Sequence, residues 1–300
     1  MSEVSGMTTL RALLGDYPNT AALRRGELQS LRLALDFAEV KAPSQAFKRV
    51  VRELEFDVAE LAIVTYLTAK AHGKPLILLP VVVRGKFQHE SIVYNAERGP
   101  LAPSDLAGRR VGIRSHSVTT VTWVRGILQN DYGVDLNRVH WVTFEDAHVA
   151  EIRDPEAFER APSGKSLMTM LLAGELDAAI TTGKDLKDPR VRPVIPDPGA
   201  AAQNWHQRYG LVPINHMVVM KESLLNSSPW IAEEIFKLLA ASKEAAGLPA
   251  AGGIDALPFG VESNRKSLDL VIQYAAQQQL IPRKFTVDEL FDDVTRVLGG

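Results

Sequence analysis

Short apolar runs alternate with stretches of helical period along most of the chain. Residues 10–14 and 31–35 read as strands, and residues 47–54 carry Phe47, Val50, Val51 and Leu54 at helical spacing, so a helix is predicted there. It ends before the apolar stretch Phe56-Asp57-Val58-Ala59-Glu60-Leu61, and a further helix is predicted over residues 65–71, stopped by His72-Gly73-Lys74-Pro75. Residues 76–83 form an unbroken apolar run of the kind a buried strand shows, and residues 91–95 form another. This order predicts an α/β domain with a largely parallel sheet.

Residues 98–108 are rich in turn formers and mark a boundary. A second α/β unit follows, with strands over 110–113, 139–144 and 178–181 and helices over 119–130 and 165–173. The Pro- and Gly-rich residues 188–199 read as a linker, residues 212–220 as a strand, and 230–246 and 263–278 as helices. That tail has too few strands for a third domain, so it is expected to pack back on the first. The expected organisation is one discontinuous lobe from residues 1–100 plus 214–300 and a second from 101–213. Two crossing segments join them, with a ligand cleft beyond the carboxyl ends of the strands. The sequence contains no internal repeat and no low-complexity tract.

Composition narrows the function classes. At 46% hydrophobic and 23% charged residues the chain is an ordinary globular one, and no apolar run approaches the roughly 20 residues that span a bilayer. A net charge of −2 with scattered basic residues lacks the footprint of a nucleic-acid binder. The absence of cysteine excludes disulfides, thiolate metal sites and a cysteine nucleophile. Residues 1–7 are polar, with neither a basic nor an apolar leader region, so a native start at Met1 implies the cytoplasm. Nothing in the composition decides between a monomer and a homo-oligomer.

The densest candidate chemistry lies at Gly108 to Leu128, where a short strand runs through Arg114-Ser115-His116-Ser117-Val118 into a helix. Backbone N–H groups, hydroxyls, a guanidinium and an imidazole gather at one helix N-terminus, which suits a carboxylate or phosphate. The competing reading is that Ser117 and Thr119 merely cap the helix.

These residues also carry a resemblance. The segments at Asp105 to Arg114, Thr119 to Leu128, Tyr132 to Leu136, Trp141 to Glu151 and Phe56 to Leu67 resemble the 4,5-dihydroxyphthalate decarboxylase family, over about residues 31–225. The resemblance implies a type II periplasmic binding protein-like fold: two α/β lobes, a discontinuous first domain and two hinge crossovers. It also implies cofactor-independent decarboxylation of a hydroxylated aromatic dicarboxylic acid in the cytoplasm. Two positions depart from the family pattern. His116 stands where members often carry an aromatic residue, and Val118-Thr119-Thr120-Val121 stands where they carry Gln-Thr-Thr-Gly.

Such a reaction needs a proton donor near the carbon that bears the leaving carboxylate, an acceptor for the phenol, and donors for the retained carboxylate. For carboxylate binding the candidates are Arg114, Ser117, Thr119, Thr120 and Arg84, the last against a reading as a solvated loop arginine. Arg125, further along the helix, is expected to pair structurally. Among seven histidines, His89, His116 and His148 follow strand ends and His216 sits on a crossover; these four are the candidates for proton transfer. Glu60 is the candidate phenol partner, because a carboxylate late in an apolar strand is costly unless it is paired or serves a pocket. The competing reading pairs it with a buried arginine. Asp16 and Tyr17, in the loop after the first strand, are secondary contacts. His89, His116, His148 and Glu60 lack short-range ligand spacing, so no metal and no other cofactor is expected. A second class of function stays open: a solute-binding protein or cytoplasmic sensor for an aromatic or other organic acid.

Overall fold

A computed structural model of the chain describes residues 7–299; the polar stretch read at the N-terminus lies, but for Met7, outside the described residues. In chain order the elements are β1 (Thr8–Leu13), α1 (Pro18–Arg24), β2 (Leu33–Phe37), α2 (Phe47–Glu53), β3 (Val58–Ala62), α3 (Ile63–Ala71) and β4 (Leu76–Gly85). There follow β5 (Ile92–Asn95), β6 (Arg110–Ile113), α4 (Thr119–Asp131), β7 (His140–Thr143), β8 (Glu159–Arg160), α5 (Leu167–Ala173), β9 (Ala178–Ile180), β10 (Val191–Pro193) and α6 (Pro198–Tyr209). The chain closes with β11 (Ile214–Lys221), α7 (Glu222–Ser227), α8 (Trp230–Ala245) and α9 (Val261–Gln277).

These elements form two compact units. The first comprises residues 7–86, Ile214–Ile272 and 283–299; the second comprises Phe87–Pro213 and Gln273–Pro282. The division therefore falls after β4, so β5 belongs to the second unit, and the last turn of α9 goes with it.

The first unit is built on a five-stranded sheet of order β2-β1-β3-β11-β4. β1 pairs in parallel with β2 and β3, whereas β11 runs antiparallel to both β3 and β4. The sheet is mixed rather than largely parallel, because the returning strand enters between two strands of the first segment. Leu10, Leu14, Val58, Leu79, Val81, Val218 and Met220 bury one face against Ile231, Ile235 and Leu239 of α8. Apolar side chains at three- and four-residue spacing give that helix its buried stripe.

The second unit carries a six-stranded sheet of order β10-β5-β9-β6-β7-β8, parallel from β9 to β8 and antiparallel at β5 and β10. Val93, Val142, Ala179 and Leu176 pack there with Met170 and Leu171 of α5.

Two helices begin inside segments whose sequence reads as a loop and a linker. α1 and α6 each begin with proline at the first helical position, after Tyr17 and Asp197. Proline is a breaker inside a helix, but its fixed φ and missing N–H suit the first turn. At α6 the Asp197 carboxylate also accepts from Ala200 N at 3.1 Å, satisfying an end that the linker reading of 188–199 overlooked.

Candidate active site

In the first unit, the carboxyl ends of β1, β3 and β4 lie at the same sheet edge as the start of the antiparallel β11. Register places Leu13 opposite Ala59, Val218 opposite Glu60, and His216 opposite both Ala62 and Arg84. His216 is thus the diagonal neighbour of Glu60 on one face, within reach of a long side chain.

Glu60 is fully buried, and three donors surround it. Gly15 N–H donates to Oε2 at 2.9 Å, the Tyr17 hydroxyl donates to Oε1 at 2.9 Å, and His216 Nδ1 meets Oε1. The buried arginine of the competing reading is absent among these partners; a histidine and a tyrosine take its place. Desolvating a carboxylate costs several kcal/mol, roughly, and these hydrogen bonds are what offset it. Burial first, and then the neighbouring Glu60 charge, hold the Tyr17 phenol well above its ordinary range, so it stays a proton-bearing donor.

Local structure fixes the set. Thr20 Oγ1 donates to Gly15 O at 2.6 Å and accepts from Tyr17 N at 3.0 Å, tying the loop to the first turn of α1. The Tyr17 ring lies across Gly15, where any Cβ would collide with it. Phe47 of α2 meets the His216 ring edge-on at 5.2 Å. Arg84 is exposed, and its guanidinium sits over the Tyr17 ring at 5.2 Å. Asp16 is exposed beside this cluster in sequence and makes none of its contacts to Glu60 described above.

In the second unit, the carboxyl ends of the adjacent parallel strands β6 and β7 carry Arg114 and the segment Phe144 to His148. Arg114 O accepts from the N–H groups of Phe144 and Glu145 at 3.1 and 2.7 Å. Its half-exposed guanidinium lies 3.3 Å from Glu145 and 3.4 Å from His148 Nε2. Ser117 and Thr119 are buried, but the N-cap position of α4 falls on Val118, whose side chain makes no cap bond. Neither Ser117 nor Thr119 thus holds the N-cap position, and Thr120 is half-buried in the first turn.

The packing of His116 beside Arg125 is the feature that sequence reasoning missed. Arg125 sits on the same helix face as Val121 and Leu128 and is 5% exposed, with its guanidinium 4.8 Å over Trp141 and 5.3 Å over Phe158. No carboxylate pairs with it among the described residues, so the expected structural ion pair does not form. His116 is 4% exposed and meets Phe158 edge-on at 5.0 Å. Burial, and secondarily the Arg125 charge, push its imidazole down to about 3. His116 is therefore neutral at physiological pH, which suits it to donating or accepting a hydrogen bond rather than to supplying a proton. An arginine inside an apolar helical stripe was the available signal. His89 is also buried, packs on Trp205 at 5.9 Å, and is held below its ordinary value by desolvation.

Among the described residues, no group of three His, Asp or Glu side chains is arranged to hold a metal ion. No helix is long and apolar enough to cross a membrane.

Known proteins define the class first. The fold is that of the periplasmic binding proteins. The aliphatic sulphonate binding protein SsuA of Escherichia coli superposes with a TM-score of 0.62 at 12% identity, covering 95% of this chain and 97% of that one. The alkanesulfonate-binding protein SsuA of Xanthomonas axonopodis pv. citri gives 0.60 at 13%, over 97% and 99%. The desulfurization enzyme DSZB gives 0.59 at 13%, over 96% and 97%.

No family model matches the chain. Sequence nonetheless places it. It is 30% identical over 249 residues to 4,5-dihydroxyphthalate decarboxylase of Comamonas testosteroni, covering 79% of this chain and 75% of the relative. It is 31% identical over 214 residues to the enzyme of that name from Pseudomonas putida, covering 66% and 81%. The chain belongs to the 4,5-dihydroxyphthalate decarboxylase family, a family of carboxy-lyases.

Proposed function

We propose that this protein decarboxylates a hydroxylated phthalate-type dicarboxylic acid without a cofactor, with 4,5-dihydroxyphthalate, giving 3,4-dihydroxybenzoate and CO2, as its first test substrate. The family relationship supports the reaction class. The observation that carries the mechanism is the fully buried Glu60, bonded to both His216 and Tyr17 at a sheet edge.

A hydroxyl para to the leaving carboxylate pushes electron density onto the carbon that bears it. With the hydroxyl ionised to a phenolate, a proton added there forms a dienone intermediate; the bond to the carboxylate then breaks, its electron pair restores the aromatic phenolate, which regains its own proton from solvent, and CO2 departs. One proton is consumed per CO2 released. His216 is assigned as the donor: Glu60 engages Nδ1 and orients the ring, which leaves Nε2 for transfer to carbon, and Glu60 balances the imidazolium charge before transfer. Tyr17 and Gly15 N–H hold the carboxylate still, so Glu60 is assigned to His216 rather than to the substrate phenol, the partner its sequence position suggests. Arg84 supplies a cation at the same edge.

The turn comprising Arg114, Ser117, Thr119 and Thr120 is assigned to carboxylate binding. His148, against the Arg114 guanidinium, is assigned to orienting it. His89, packed on Trp205, carries the weakest claim to a catalytic role.

CO2 release from 4,5-dihydroxyphthalate and related hydroxylated benzene dicarboxylates tests the proposal. E60Q and H216Q are expected to lower kcat by about 10²- to 10⁴-fold, the usual worth of a positioned acid–base group, with KM little changed. Wild-type rates in both variants would remove the assignment. Tight binding across the panel with no CO2 would favour the solute-binding or sensor reading. A cytoplasmic location belongs to the same proposal, and cell fractionation checks it.

A further inference from the structure

We infer that Arg125, His116 and Ser115 form a buried subsite for one carboxylate group of an organic acid. The inference rests on unpartnered donors in one neighbourhood of the second unit. Nε and Nη1 of Arg125 and Oγ of Ser115 are buried and make no hydrogen bond, and the buried His116 ring has only the main-chain carbonyl of Gln278 near one of its nitrogens. Arg125 and His116 pack on the same Phe158 ring, which makes them neighbours, and Ser115 adjoins His116 in the turn.

A cation removed from water is costly unless paired, and two aromatic rings offset only part of that cost. Burial lowers the Arg125 guanidinium to about 10, so it still carries its charge at neutral pH. A planar guanidinium fork is matched by a carboxylate, which accepts two parallel N–H bonds. A neutral imidazole and a hydroxyl can add donors to the same oxygens. Gln278 leaves the guanidinium alone: its Nε2 donates to Thr122 O at 2.8 Å, while its main-chain carbonyl faces one nitrogen of the His116 ring and leaves the other for a ligand.

Charge and shape identify the ligand class. One guanidinium beside a neutral histidine suits a single negative charge better than a phosphate dianion. The rings packed on the guanidinium are Trp141 and Phe158, the latter the only half-exposed member of the set, which favours an aryl over an aliphatic carboxylate. The subsite depends on the decarboxylase reading only for naming phthalate-type acids as the carriers of that carboxylate.

The experiment titrates wild type, R125K and R125M with benzoate and with phthalate, which lacks the hydroxyls needed for turnover. R125M is expected to weaken phthalate binding about ten- to hundred-fold and R125K less, the usual worth of a charge-assisted hydrogen bond. Replacing an unpaired buried charge with an apolar side chain of similar length should leave the ligand-free R125M folded and at least as heat-stable as wild type. A purely structural Arg125 would instead lower its Tm. The His116 ring resonances should shift on saturation with phthalate.

Wild-type affinity in R125M, unmoved His116 resonances at saturation, or no binding of either acid to wild type would overturn the subsite. Arg125-dependent binding without CO2 release from any hydroxylated substrate would leave the subsite standing and sink the decarboxylase reading. Turnover with Arg125-independent binding would do the reverse.

Discussion

Burial drives the His116 imidazole down to about 3 from an ordinary 6.5, and stability should record that shift. The unfolded chain takes up this proton as pH falls through about 6.5, while the folded chain refuses it until about 3. Folding stability is therefore lost across that window, by up to about 1.4 kcal/mol per pH unit for one group. H116F should flatten the dependence by about that slope between pH 4 and 6, measured by urea unfolding. The carboxylates contribute equally to both proteins and cancel, and His89 keeps its own smaller share of the same sign. An unchanged slope would show that the imidazole is protonated in the folded state. Glu60 was legible from residues alone, because a carboxylate within Val-Ala-Glu-Leu-Ala has no cheap place to go. Arg125 was not, because Trp141 and Phe158, the rings that replace a counter-ion, come from distant parts of the chain.

At the scale of elements, hydrophobic period located nearly every strand and the long helices, and β6 matches its expected span of 110–113. Helices that open on proline were lost, since Tyr17-Pro18 and Asp197-Pro198 read equally as turns until the following residues are seen to coil. Helix α4 shows how packing overrides propensity. Gly126 lies mid-helix, where alanine is usually better by about 1 kcal/mol. A Cβ there would run into the ring of Tyr274, which also packs edge-to-face on Trp123 at 5.6 Å. G126A should therefore destabilise the protein by roughly 1–3 kcal/mol in urea unfolding, the usual penalty of overpacking. A stabilised G126A would mean that the ring has room to retreat.

For the whole molecule, the decisive event is the return of the chain. β11 comes back after the second unit has been built and inserts between β3 and β4, which sets His216 against Glu60 across 156 residues of sequence. The chemistry assigned to that pair needs no metal. Exhaustive chelation is thus expected to leave the rate of CO2 release unchanged, and a loss of rate restored by one divalent ion would require a different mechanism. By itself the sequence determined the α/β class, most element positions, the lack of thiol chemistry and the family, for the reason that side-chain period and residue identity act locally. Which carboxylate meets which imidazole, and which arginine goes without a counter-ion, was decided only by tertiary structure. Those pairings depend on strand order and register between segments far apart in the chain, and no local window of residues encodes either.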